Sequence, residues 1–416
     1  MRHRETYNNP TRYFQDTCFY LAGHVFADSL GLDSSHSLSH SLEFETPYSN
    51  ASAVVSSMEP SPARGLLAAL SFLSLFAACI TGVQANSPSL PLPLRLLHQL
   101  SLGSWIENLW VRSNGDILLS TLAPNASVYL ISDPTVASPD VSLIYTFGSM
   151  HGILGIIETK PDVFVVVGSN YSELGRPVNG TSAAWELDFH YPSKPSAREI
   201  TAMPDAIFLN GIESVPSSDT TLLIADSTRG LVWRLNTLTG NYGIAIQNPA
   251  MDAPAGAPLA IGINGIRVHN GYLYWTNSYE ATFYRLRITA DGYPAPGAAV
   301  QVVGKADAEF LDDLFIGPVG KDIIWSPTNL DNMLVALNPR ANEPAVVVEG
   351  SPSRLTVAGG TACQFGRGQT DQQILYVATS GGIANPVNGT VTEGGKIVAV
   401  DTSSYFQRES GLPYVA

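Results

Sequence analysis

The 416-residue sequence is poor in cysteine: it has three, Cys18, Cys79 and Cys363. The first two fall in an N-terminal portion that reads as removed on export. Cys363 is then alone, no internal disulfide is possible, and the fold must rest on packing. Positive charge is also scarce, with 22 Lys+Arg against 36 Asp+Glu and a formal net charge of −14. No basic cluster stands out, which argues against nucleic acid and anionic membrane surfaces as partners. Long apolar runs are absent apart from Leu66 to Ile80, which is shorter than the roughly 20 residues that span a bilayer. Strong helical periodicity is nearly absent after residue 90. There is no Gly-Xaa-Ser-Xaa-Gly elbow, no phosphate-binding loop and no Cys/His zinc spacing, so the chemistries those motifs carry have no foothold.

The apolar run itself is informative. From Met58 the chain has a positive flank at Arg64, the short apolar stretch, and Val83-Gln84-Ala85 with small residues at −3 and −1. That is the layout of a secretory signal peptide; a membrane anchor is the competing reading. Residues 1–57 are rich in Ser, His and Tyr and would hide such a signal, so Met58 reads as the start. The expected division is 1–57 as a disordered prefix, 58–85 as a signal peptide and 86–416 as one folded domain. The expected route is the secretory pathway, ending secreted or vesicular, with no stable membrane association after cleavage. Sequons at Asn125, Asn170, Asn179 and Asn388 suit a glycosylated export product.

After residue 90, short β-branched and aromatic runs alternate with Gly, Pro, Asn and Asp, the pattern of many short strands. They also repeat. Tyr129-Leu-Ile131, Trp185-Glu-Leu187, Trp233-Arg-Leu235, Tyr284-Arg-Leu286, Val335-Ala-Leu337 and Val398-Ala-Val400 follow one another in steps of 56, 48, 51, 51 and 63. A period of this size in an all-β chain points to propeller blades, each a four-stranded sheet. Six quartets fit, but only five outer strands follow their blades in sequence. The sixth is available at Leu94 to Leu100. The expected fold is an all-β, six-bladed β-propeller closed by its N-terminal strand, an arrangement that removes exposed sheet edges.

In a propeller the innermost strands run beside the central axis, so their first residues share one space. The six expected inner strands begin at Glu107, His151, Asn210, Asn264, Asp312 and Thr361. Buried polar side chains are costly unless paired or useful, and equivalent positions in successive blades make this ring the candidate site. Asn-Gly is also a common turn pair, and ring polar groups can simply hold channel water. Trp110, Trp275 and Trp325 read as blade core. Cys363 reads as a small buried hydrophobe.

Several of these segments carry a family resemblance. Trp105-Ile-Glu107, Leu209-Asn-Gly-Ile212 with Ile224-Ala-Asp-Ser227, Gly262-Ile-Asn-Gly-Ile266 with Trp275-Thr-Asn-Ser278, and Phe365-Gly-Arg-Gly368 with Tyr376-Val-Ala-Thr-Ser380 resemble the senescence-marker-protein/gluconolactonase superfamily of six-bladed propellers. That resemblance implies a divalent cation, such as calcium, held by a Glu, an Asn and an Asp. The Glu maps to Glu107 and the Asn to Asn210, while the Asp position is Asn264, which loses one anionic ligand; Asp312 is available from the next blade. The signal peptide, the His151-Gly-Ile segment and Phe365-Gly-Arg-Gly368 also resemble a fungal group of secondary-metabolite propellers, the hetero-Diels–Alderases.

This second resemblance implies that a tropolone-type quinone methide is joined to a terpene alkene in the channel, with no cofactor required. The substrates would be small and apolar. His151, Asn210 and Asn264 are the expected hydrogen-bond donors, and Asn210, Asn264 and Thr361 the expected substrate-binding residues. Asp312, Glu107 or His151 would be the acid, because crowded carboxylates raise one another's pKa. The alternatives are a metal-dependent lactone hydrolase and a non-catalytic binding propeller.

Overall fold

The computed structural model describes residues 89–190 and 195–406. The expected prefix 1–57 and signal peptide 58–85 lie outside the described residues, as do Cys18 and Cys79. Strand β1 (Leu94–Leu102) comes first. Blade 1 is β2 (Trp105–Val111), β3 (Ile117–Ala123), β4 (Ser127–Ser132) and β5 (Asp140–Thr146). Blade 2 is β6 (Gly152–Lys160) and β7 (Val163–Ser169), then a small hairpin of β8 (Tyr171–Glu173) and β9 (Arg176–Pro177), then β10 (Ala183–Asp188) and β11 (Ser196–Ala202). Blade 3 is β12 (Leu209–Val215), β13 (Ser218–Asp226), β14 (Leu231–Asn236) and β15 (Tyr242–Gln247).

Blade 4 is β16 (Ile263–His269), β17 (Tyr272–Asn277), β18 (Thr282–Arg287) and β19 (Gln301–Lys305). Blade 5 is β20 (Phe315–Ile316), β21 (Ile324–Thr328), β22 (Met333–Leu337) and β23 (Val346–Gly350). Blade 6 is β24 (Gly360–Phe365), β25 (Ile374–Thr379) and β26 (Gly394–Asp401), followed by one helical turn, α1 (Ser403–Phe406). Its fourth strand is β1, antiparallel to β26 with Leu94 opposite Val400 and Leu96 opposite Val398. The chain is an all-β, six-bladed propeller. The sequence repeat sits on the third strand of every blade, from Tyr129 in β4 to Val398 in β26.

The core is divided among six seams between neighbouring sheets. Leu118, Ile153 and Phe164 pack blade 1 on blade 2. Val167, Ile212 and Leu235 pack blade 2 on blade 3, and Ala225, Ile266 and Trp275 pack blade 3 on blade 4. Phe283 and Val335 join blades 4 and 5, Trp325 and Val398 join blades 5 and 6, and Ile106, Tyr376 and Ile397 join blade 6 to blade 1. Each fully buried aliphatic side chain in such a seam stabilises the fold by roughly 1.5–3 kcal/mol. The middle strand β7 is therefore a near-continuous apolar run and β13 carries one at 222–225, whereas the outer strand β5 is half exposed. Trp275 and Trp325 are core, and Trp110 is half-buried against the seams of blade 2. Cys363 is buried and free. Burial pushes its thiol pKa far up, which keeps it protonated and unreactive.

Among the described residues no helix is long and apolar enough to cross a membrane. Of the sequon asparagines, Asn125, Asn179 and Asn388 are exposed and Asn170 is half-buried.

Candidate active site

Bulges aim the inner strands at the axis. In β2, Ile106 pairs with Thr121 and Asn108 with Ser120, so Glu107 is an extra residue with no partner across the ladder. The same insertion falls at Asn210-Gly211 in β12, Asn264-Gly265 in β16 and Thr361 in β24. A bulge turns its residue out of the pleat and re-aims the side chain. Glycine follows for a steric reason. A Cβ on Gly211 would lie 2.6 Å from the Asn264 carbonyl, and one on Gly265 would lie 2.1 Å from Asp313 Oδ1. The inner strands approach so closely that only glycine fits.

Blade 2 corrects the expected ring. Its bulge is at Leu154-Gly155, not at His151, and a Cβ on Gly155 would meet the Asn210 carbonyl at 2.4 Å. The segment His151-Gly-Ile-Leu-Gly-Ile156 contains Gly-Ile twice, and the second copy takes the ring position. Leu154 is buried there. His151 is exposed, outside the cavity described next, with Nδ1 3.5 Å from the Tyr171 carbonyl. Thr361 occupies its blade's ring position, but its hydroxyl donates to the Ile106 carbonyl at 2.8 Å and does not line the cavity that the other ring residues share. It pins blade 6 to blade 1.

The other four ring residues, Glu107, Asn210, Asn264 and Asp312, line one cavity of about 260 Å³. The rest of its wall is mostly apolar, with Trp105, Leu122, Phe208, Ile261, Phe310 and Leu330 prominent and Asn329 and Tyr279 as the polar additions. Asp312 precedes the two-residue strand β20 and is held in place by its own N–H, which donates to the Pro327 carbonyl at 3.0 Å. Asn264 Nδ2 donates to Asp312 Oδ1 at 3.0 Å and to Ser278 Oγ at 3.1 Å. Asn329 Nδ2 donates to Asp312 Oδ2 at 2.8 Å. Trp105 Nε1–H donates to Glu107 Oε2. Asn329 and Trp105 are thus site residues that the ring pattern did not single out; Asn329 comes from a turn between β21 and β22, where no repeat marks it.

The amides are disposed differently from the expectation. Asn264 uses its N–H groups on Asp312 and Ser278, which leaves its buried Oδ1 without a partner; Asn329 Oδ1 is likewise unpartnered. Asn210 lines the cavity and makes no side-chain hydrogen bond among the described residues.

The two carboxyls are drawn toward their neutral forms. Burial, then the neighbouring charges of Asp312 and Asp313, raises Glu107 well above the usual carboxylate value, against the opposing indole hydrogen bond. Burial is also the largest influence on Asp312, which is pushed up to about 7 although the Asn329 and Asn264 amides favour its ionised form. A carboxyl near neutrality can donate a proton as well as accept one.

The calcium cage implied by resemblance does not fit this arrangement. Its second anionic position carries Asn264, which turns N–H groups toward the neighbouring carboxyl. Both Asp312 oxygens and one Glu107 oxygen already accept N–H donors. Among the described residues no group of three or more His, Cys, Asp and Glu converges as a metal site. A hard cation selects for oxygen ligands with a high charge count, and Glu107 with Asn210 supplies one carboxylate.

No family model matches the sequence. Two curated relatives do. The chain is 34% identical over 340 residues to "Putative hetero-Diels-Alderase asR5" of Sarocladium schorii, covering 76% of this chain and 85% of that protein. It is 33% identical over 322 residues to "Putative hetero-Diels-Alderase" of Phoma sp, covering 73% and 91%. Solved structures with a similar fold include a luciferin-regenerating enzyme at 13% identity and TM-score 0.53, covering 74% of this chain and 95% of that one. The calcium-binding protein regucalcin from Agrobacterium tumefaciens matches at 11% identity and TM-score 0.52, covering 75% and 95%. At such identities the likeness is one of fold.

Proposed function

Since the chain belongs to the family of these hetero-Diels–Alderase-type propellers, we propose that it is a cyclase that joins a heterodiene to an alkene inside the cavity. The observation that carries this reading is the pairing of an apolar wall with two buried carboxyls, Asp312 and Glu107, both drawn toward their neutral forms. A cycloaddition needs no redox partner and moves no proton: one C–C and one C–O bond form as the π bonds shift. What a protein can supply is pose and polarisation. Holding the reactants in a reactive pose contributes effective molarities of about 10⁵ M or more. The apolar wall suits that task for a tropolone-type quinone methide and a terpene alkene.

Polarisation falls to the polar floor. Whichever of Asp312 and Glu107 holds the pair's proton donates to the heterodiene carbonyl, and that hydrogen bond strengthens as charge grows on oxygen. The Asn210 amide, which lines the same cavity, serves as a second donor. The same carboxyl pair serves the step that makes the heterodiene from an alcohol. The acid member gives its proton to the departing hydroxyl, the C–O bond breaks and water leaves. The ionised member takes the proton of the ring hydroxyl, and the pair ends with the same single proton. The exposed position of His151 gives it no part in either step.

The reading extends to location. Export through the secretory pathway is supported by the sequons at the exposed Asn125, Asn179 and Asn388, which would carry glycans. The test is incubation with a quinone-methide precursor alcohol and a macrocyclic alkene. The expected product is a single stereoisomer formed faster than in buffer, at a rate unchanged by a chelator. A racemic product at the buffer rate would refute the proposal.

A further inference from the structure

Two reactants must share a cavity of about 260 Å³, yet pockets that enclose one drug-sized ligand run from roughly 300 to 1,000 Å³. The space suits one reactant. Its limit at the mouth is set by the β8–β9 hairpin, which is the one two-stranded sheet among the described residues. The base of the hairpin is fixed. The Val178 N–H donates to the Asn170 carbonyl at 2.8 Å and the Asn170 N–H to Thr181 Oγ1 at 3.0 Å. The Tyr171 ring meets Phe208, a wall residue, edge to face with centroids 5.9 Å apart.

The tip is held otherwise. Leu174 and Gly175 line the cavity mouth, and Leu174 remains 42% exposed. Gly175 has φ +73°, and a Cβ on it would lie 2.7 Å from Leu259 Cδ1. Leu259 also lines the cavity, from the loop between blades 3 and 4. Tip and loop therefore touch across the mouth through apolar atoms, and no hydrogen bond joins them among the described residues. Apolar contact at an exposed hairpin end is the low-stability kind of packing from which moving lids are drawn.

We propose that the Leu174-Gly175 tip and Leu259 form a size-selecting gate, which encloses one apolar reactant when shut and admits the second when the tip lifts off Leu259. The two-reactant requirement rests on the cyclase reading; the gate's size selection is measurable without any reaction. The experiment is calorimetric binding of cyclohexanol and cyclododecanol to the full chain, with melting temperature as a check on folding. Leu174→Ala combined with Leu259→Ala raises the affinity for the larger alcohol relative to the smaller by about ten-fold, the scale of one methylene in an apolar site. Leu259→Phe shifts the ratio the opposite way. If both alcohols bind and neither variant moves the ratio, the gate is wrong while the cavity reading stands. If the unaltered chain binds neither alcohol, the apolar-cavity reading fails and the gate with it.

Discussion

Asp312 and Asp313 are adjacent and almost equally buried, at 4% and 2% exposure, yet they serve opposite ends. Asp312 faces the cavity, and its partners are two neutral amides. Asp313 faces away and accepts from Arg267 Nη2 at 3.1 Å, Asn108 Nδ2 at 3.1 Å and the Leu314 N–H at 2.7 Å. Burial works against the charge on Arg267, but Asp313 and Glu213 outweigh it and hold the guanidinium firmly protonated. The contrast shows that depth alone does not decide what a carboxyl does. A fixed cation makes Asp313 a brace across blades 4, 5 and 1, whereas amides leave Asp312 free to hold or release a proton.

The contrast can be broken at several points. The largest expected effect is that of Asp312→Asn, which keeps a hydrogen-bond donor and loses the transferable proton. With the precursor alcohol, initial rates fall by about 10²–10⁴; with a preformed heterodiene the loss is much smaller. Equal losses on both substrates would remove the acid role. Next comes Asp313→Ala, which removes the carboxylate that Arg267 bonds in the interior and leaves it only the neighbouring Glu213. Breaking a buried ion pair from one side costs about 3–5 kcal/mol, read as a lower denaturation midpoint. Loss of activity at unchanged stability would mean that Asp313 belongs to the chemistry instead.

A smaller effect follows from pH. Asp312 is an acid whose folded value is raised, so its protonated form contributes stability in full below the ordinary aspartate value, near 4. That contribution is lost as pH rises through about 7. Stability should fall across this window in the unaltered chain and fall less in Asp312→Asn, as followed by melting temperature. The smallest shift is expected for Asn329→Ala. It removes a hydrogen bond that favours ionised Asp312, so the alkaline limb of the rate profile moves to higher pH. A limb that stays in place would assign Asn329 to packing.

Much of the architecture was legible because it repeats. The Tyr129, Trp185, Trp233 and Tyr284 segments marked third strands, and the surplus apolar segment from Leu94 indicated where the sixth blade finds its fourth strand. Four ring residues were legible for the same reason. His151 was misread because two Gly-Ile pairs lie three residues apart and only packing against the Asn210 carbonyl selects the second. Asn329, the β8–β9 hairpin and Leu259 lie in connections, where no period constrains the chain. The pairing of Arg267 with Asp313 joins residues 46 apart and becomes visible only when blades 4 and 5 are side by side.

The proton on Asp312 is the point on which the account turns. Carboxyl ¹³C chemical shifts followed against pH, with Asp312→Asn identifying the Asp312 signal, measure it directly. The expected result is a midpoint near 7 for Asp312, lowered when an amide-free apolar alcohol is replaced in the cavity by water. A midpoint near the ordinary aspartate value of about 4 would contradict the account.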